Sequence, residues 1–309
     1  MNLSSGQRAS LSQLYGDKVT SDRLPQTALI LDGATGTELV RRGFTLTTPL
    51  WSAAAITEAP ELLEQIHRDY VQAGADIITA NTFRTHGRNL REAGMESQAG
   101  ELTQQAVDIA RRTANSSMLI AGSVAPLEDC YSPDKTPGES ELEDEHGRHT
   151  DNLKRSGVDL ILVETQITIR EGTIAARAAR ATGLPVLVSW TLKTAIGPPR
   201  LLSGELLQDA LDSLAPLRIQ GVLLNCIPAE EVLPAFQSVQ GSDIWLKGAY
   251  ANTGRLYADG SWGDTTATNP AVYAGYAQSW KCFGFHILGG CCGTTPEHVS
   301  LLKSISSDD

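Results

Sequence analysis

The sequence has no apolar run approaching the roughly 20 residues that a membrane-spanning helix needs, so no membrane association is expected. It has no basic excess either. Against 36 Asp and Glu stand only 25 Lys and Arg, a formal net charge of −11, and the basic stripe of a nucleic-acid binder is missing. Cysteine is scarce: five in 309 residues are too few for a disulfide scaffold. Two of the five, Cys291 and Cys292, are adjacent and make poor partners for each other. The first 27 residues, rich in Ser and Gln, lack the long apolar stretch of a secretory signal. No internal linker divides the chain beyond residue 27. Together these absences predict a cytoplasmic chain, with residues 1–27 as an N-terminal extension and 28–309 as one large domain. Within the extension, Leu11, Leu14, Tyr15 and Val19 fall at helical spacing, which predicts a short helix packed on the main body.

What is present is a repeated alternation. Short apolar runs occur at 28–32 (ALILD), 76–81 (DIITAN), 118–123 (MLIAGS), 159–164 (DLILVE), 185–191 (PVLVSWT), 221–226 (GVLLNC), 244–250 (IWLKGAY) and 286–292 (HILGGCC). Helix-period segments separate them, such as 60–73, where Leu62, Ile66 and Tyr70 repeat behind a Pro60 suited to a first turn. Strands apolar on both faces and alternating with helices form a parallel sheet covered on both sides. Eight such units predict an α/β fold, a single (β/α)8 TIM barrel. An internal echo agrees: residues 74–82 (GADIITANT) align with 157–165 (GVDLILVET), and the same count from Gly284 ends on Cys291. On that register Asn81, Glu164 and Cys291 leave their strands at the C-terminal face, where barrel enzymes do chemistry. The acidic stretch 126–147 reads as a long loop after the third strand leading into a helix, and 250–268 as a second long loop leaving the seventh strand on that face.

Cys226 ends the sixth run and Cys291 and Cys292 end the eighth, two strands apart in a barrel. Three thiolates from these positions make a plausible zinc set with one position left open; buried structural thiols beside a glycine-rich turn have the same spacing. Gly289, Gly290 and Gly293 let the backbone run close to its neighbours there. A phosphate-binding loop at 289–295, ahead of a helix starting at Thr295-Pro296, is a competing reading, although adjacent thiols have no use in one. Asp32 ends the first run, and Thr35-x-x-Glu38 fits a capping box, which makes Glu38 a cap. Asp32 and Glu164 are then two strand-end carboxylates suited to acid/base work or to an ammonium group. Asn81 and Asn225 are candidates for substrate binding, with loop backbone satisfaction as the alternative. His146 and His149 sit among acidic residues and read as a solvated helix surface, and Cys130 and Cys282 read as ordinary thiols. No lysine stands at a strand end, which weighs against a Schiff-base aldolase barrel.

In the order LDGATGTEL, DIITANTF, LILVET, GVLLNC and ILGGCCGTTPEHV, the sequence resembles the homocysteine S-methyltransferase family from about Leu29 to Leu302. The stretch 49–75 looks like its single-domain branch. The resemblance implies a zinc-dependent enzyme of methionine biosynthesis, which moves a methyl group from S-methylmethionine or S-adenosylmethionine to the thiol of homocysteine. It assigns the zinc thiolates to Cys226, Cys291 and Cys292, and the grip on the homocysteine amino group to Asp32 and Glu164. Asn252 and Gly254 fall in a substrate loop that the family writes PNSGE-Y, with Ala251, Thr253 and Arg255 replacing its Pro, Ser and Glu. The folate and corrinoid domains of large methionine synthases have no counterpart here, nor does the extension of betaine-using relatives. The alternative implied is a homocysteine-binding zinc barrel served by a separate corrinoid methyl carrier.

Overall fold

The computed structural model describes residue 14 and residues 27–193, 197–239, 246–257 and 261–306. Eight parallel strands are joined in sequence: β1 (Leu29–Ile30), β2 (Ile77–Ala80), β3 (Leu119–Val124), β4 (Leu160–Gln166), β5 (Val186–Trp190), β6 (Gly221–Pro228), β7 (Leu246–Asn252) and β8 (Ile287–Gly290). The ring order is β1-β8-β7-β6-β5-β4-β3-β2, and the parallel bridge Leu31↔Ile77 joins its two ends. Each strand returns through a helix: α1 (Pro60–Gln72), α2 (Ala99–Thr113), α3 (Glu139–Arg155), α4 (Ile169–Ala181), α5 (Leu207–Leu214), α6 (Ala229–Gln237), α7 (Pro270–Cys282) and α8 (Pro296–Ser306). The architecture is the (β/α)8 barrel that the alternation predicts. Among the described residues no helix is long and apolar enough to cross a membrane.

Strand period 2 explains both the continuous apolar runs and the position of the polar residues. Leu160 and Leu162 point into the bore with Ile77, Ala121, Leu187, Leu223 and Ile287. The alternate residues Ile161, Val163, Val186 and Val188 pack outward under the helices. Each leucine so buried contributes about 1.5–3 kcal/mol. Further along the inward rows of β2 to β7 the residue type changes, to Thr79, Ser123, Glu164, Ser189, Asn225 and Tyr250. The bore therefore ends at its C-terminal mouth in a polar layer on an apolar plug. Leu14 packs on the bore residues; Leu11, Tyr15 and Val19, which the expected helix of the extension also needs, lie outside the described residues, as do Ile244 and Trp245 of the seventh run.

The segment 126–147 is a loop leading into a helix, as expected, and the helix α3 already begins inside it at Glu139, with Glu141 reaching back to the Gly138 amide. Two sequence expectations need correction. The segment 250–268 is not a plain loop: β7 runs to Asn252 and is followed by an antiparallel pair, Gly254–Leu256 against Trp262–Asp264. The Thr35/Glu38 capping box does not form, because the helix Thr35–Arg41 already includes Thr35, with Ala34 at its N-cap. Glu38 is instead buried and accepts from Arg41 and Arg42.

Candidate active site

The mouth of the barrel opens into a cavity of about 640 Å³ whose walls include Asp32, Glu164, Cys226, Cys291 and Cys292. Regular strand parity would turn Cys226 away from the bore, since Leu223 and Asn225 are the inward residues of β6. The β6–β7 register shifts between Asn225 and Pro228, and Cys226 takes φ 54°. Non-glycine residues rarely adopt this left-handed backbone, and a bulge that contains it re-aims its side chain. Here Cys226 Sγ comes within 3.0 Å of Cys291 Sγ. On β4 the same device recurs, with Thr165 at φ 57° and a register shift between Val163 and Gln166.

The other two thiols depend on close backbone packing. A Cβ at Gly290 would collide with the Thr294 side chain, and Gly293 turns the chain at φ 85° against Thr253. The Cys292 amide donates to Asn252 Oδ1 at 3.1 Å. The three sulfurs all lie within 4.8 Å of one another, the one such group of potential metal ligands found among the described residues. Tetrahedral zinc with Zn–S near 2.3 Å spaces its sulfurs roughly 3.8 Å apart, inside the 4.8 Å that holds the trio and wider than the Cys226–Cys291 contact, so these soft thiolates suit that ion, with a fourth position free, once those two sulfurs part slightly. Cys292 is held well below the ordinary thiol range by hydrogen bonds from Cys226 and Cys291. The same bonds, with burial, push Cys226 up.

The two carboxylates face this trio from β1 and β4. Asp32 accepts from Thr79 twice, from the backbone amide at 2.8 Å and the hydroxyl at 2.9 Å. Glu164 accepts from the Ser123 hydroxyl, and the Tyr250 hydroxyl lies 3.1 Å from its other oxygen. Among the described residues neither acid has an ion-pair partner. Burial pushes Asp32 up to about 8, with a further rise from the charge of Glu164, and pushes Glu164 up to about 7. Two buried acids without a counter-ion hold on to their protons, and a bound cation between them would draw them back to the ionised form.

The three asparagines support the walls. Asn81 spends its carbonyl and one amide hydrogen on Ser52, and so fixes the segment after Trp51. Asn225, fully buried, donates to Thr165 Oγ1 at 2.8 Å and to Cys226 Sγ at 3.4 Å. Asn252 holds the Cys292 amide. Of the thiols expected to be ordinary, Cys282 is exposed at the end of α7, but Cys130 is buried in the cavity wall.

His146 and His149 are not a solvated surface. Both are buried, with His146 Nε2 3.2 Å from Glu171 and His149 Nε2 3.0 Å from the Ser123 carbonyl. Leu142, His146, His149, Thr150 and Leu153 are the buried stripe of a helix rich in charged residues elsewhere. The cavity also takes Trp51, Phe83, Arg84 and Tyr131 from the loops after β1, β2 and β3. Ser123 and Tyr250 obey the same strand-end rule that points to Glu164. The loop residues carry no periodic signal.

Residues 29–305 match the homocysteine S-methyltransferase family. The homocysteine S-methyltransferase of Escherichia coli is 30% identical, covering 91% of this chain and 96% of that relative. The selenocysteine methyltransferase of Astragalus bisulcatus is 28% identical over 91% of this chain and 93% of its own length. The crystal structure of the E. coli homocysteine methyltransferase MmuM in its metallated form superposes with a TM-score of 0.77. It is 29% identical and covers 90% of this chain and 96% of that one.

Proposed function

The chain belongs to the homocysteine S-methyltransferase family, and from that premise we propose that it transfers a methyl group from a sulfonium donor, S-methylmethionine or S-adenosylmethionine, to homocysteine at a zinc site formed by Cys226, Cys291 and Cys292. The observation that carries this reading is the convergence of three thiols, from two strands and within 4.8 Å, beside two buried unpaired acids. Bound zinc would supply acidity, because a free thiol has a pKa near 8.5 and is mostly protonated at neutral pH, whereas a coordinated thiol is a thiolate.

The chain's own residues supply position. Asp32 and Glu164 grip the homocysteine ammonium and aim its sulfur at the open side of the trio, which makes their role orientation rather than proton transfer. Ser123, Tyr250 and Thr79 hold those carboxylates in place by hydrogen bonds. The apolar plug below the polar layer keeps water from entering through the bore. In the transfer, the acceptor sulfur forms the new S–CH3 bond while the donor's S–CH3 bond breaks. The bonding pair stays on the donor sulfur, which leaves as a neutral sulfide and needs no general acid.

The test is zinc-loaded, carrier-free protein incubated with homocysteine and each donor, with methionine followed by mass. Turnover with a sulfonium alone supports the reading; turnover only after a corrinoid protein is added would replace it with the carrier-dependent alternative.

A further inference from the structure

We propose that Arg84 is the carboxylate-binding residue of this cavity, and that its ligand is the α-carboxylate of an amino acid bound there. The inference rests on the methyl-transfer reading and names a contact that reading leaves open. Arg84 leaves β2 beside Phe83 and lines the same cavity as the acids and the thiols. Its guanidinium carbon lies 5.2 Å from the Phe83 ring centroid, and Nη1 donates to the Glu128 carbonyl at 3.1 Å. These contacts fix the plane of the group yet use one of its five N–H donors. Among the described residues no carboxylate pairs with it.

Its neighbour shows the contrast. Arg88, also on the cavity wall, pairs with Glu128, Glu141 and Glu145 and is fully committed. Lys135 lines the cavity too, but it is exposed and has a point charge rather than a planar fork. Arg84 is half-buried and stacked, and although its charge is felt by the nearby Asp129 it forms no ion pair among the described residues, the state in which a guanidinium takes a carboxylate bidentately. The need for such a group follows from the charges. An amino acid whose ammonium enters between Asp32 and Glu164 brings a carboxylate that those acids repel, and the chain is already at −11. Homocysteine and S-methylmethionine each carry that carboxylate, so the chemistry is shared and the experiment assigns the source.

Homocysteine and S-methylmethionine are titrated calorimetrically into zinc-loaded wild type, R84Q and R84K, each beside its decarboxylated analogue, 3-aminopropanethiol or the corresponding dimethylsulfonium amine. R84Q is expected to weaken one amino acid by roughly 10–100-fold and to leave its analogue unchanged, with R84K intermediate. Loss in the homocysteine arm assigns the acceptor's carboxylate; loss in the other arm assigns the donor's. R84K keeps a donor for the Glu128 carbonyl, so a folding defect confined to R84Q leaves R84K to decide. The proposal is overturned if both variants bind both amino acids as wild type does, or if the analogues weaken equally. Wild type that binds neither amino acid overturns the methyl-transfer reading itself, and this proposal with it.

Discussion

The sulfur atoms of Cys226 and Cys291 lie 3.0 Å apart at the mouth of the barrel, although 65 residues separate them in the chain. Neither strand alone makes that contact. It needs the left-handed backbone at Cys226 on one side and the glycine-permitted turn on the other. Three thiols so placed act as a set, and removing one should disable all of it. Cys292→Ser is expected to lose zinc from about one ion per chain to near none, together with methyl transfer, while far-UV circular dichroism stays that of wild type. Metal analysis of the purified variant checks it. Full activity in that variant would remove zinc from the reaction.

Glu164 should act through homocysteine affinity. Glu164→Gln keeps the shape and removes the charge that faces the ammonium, so homocysteine should bind roughly 10–100-fold more weakly. Calorimetric titration measures this, and unchanged affinity would refute the grip on the amino group.

A pH profile gives a second handle on the same residue. Burial pushes Glu164 to about 7, and the Tyr250 hydroxyl opposes that rise. Ammonium binding requires the ionised forms, so homocysteine affinity should fall in two stages as pH drops, through about 8 where Asp32 takes its proton and through about 7 where Glu164 does. Tyr250→Phe removes the opposing hydrogen bond and should move the Glu164 stage to higher pH. A stage that stays in place would separate Tyr250 from the titration.

Asp32 has a stability signature of opposite sense to its binding role. Its folded value, about 8, stands above the ordinary 3.8, so the native state holds this proton more tightly than the unfolded chain. The stability linked to that proton is complete below about pH 4 and is lost as pH rises through about 8. Asp32→Asn escapes the loss. Its melting temperature should match that of wild type near pH 4 and exceed it near pH 8.5, by roughly 2–4 °C for each kcal/mol regained. Homocysteine binding should meanwhile weaken. Scanning calorimetry across this range decides it, and a variant less stable at high pH would contradict it.

Much of this is legible in the sequence because strands obey a short, strict period. The eight apolar runs mark the ring, and the residue that extends each run's inward row lands in the polar layer, which is how Glu164 is found. Asp32 and the cysteines stand out by their place at strand ends. The histidines of α3 mislead because their charged neighbours suggest water on all sides, although Leu142, His146, His149 and Leu153 keep a helical spacing that marks a buried stripe. Trp51, Arg84 and Tyr131 escape for a different reason. They sit on loops, where position is set by tertiary contacts such as Asn81 with Ser52, and no local period records those contacts.

The ring of strands is thinnest at β1. β1 spans only Leu29–Ile30, and the circle is completed by one bridge, Leu31 to Ile77. Asp32 is the next residue, and both of its oxygens are fastened across that joint to Thr79 on the adjoining strand. The side chain assigned to recognition is thus also the clasp of the ring, and whatever alters its charge tugs at the place where the barrel is buckled shut.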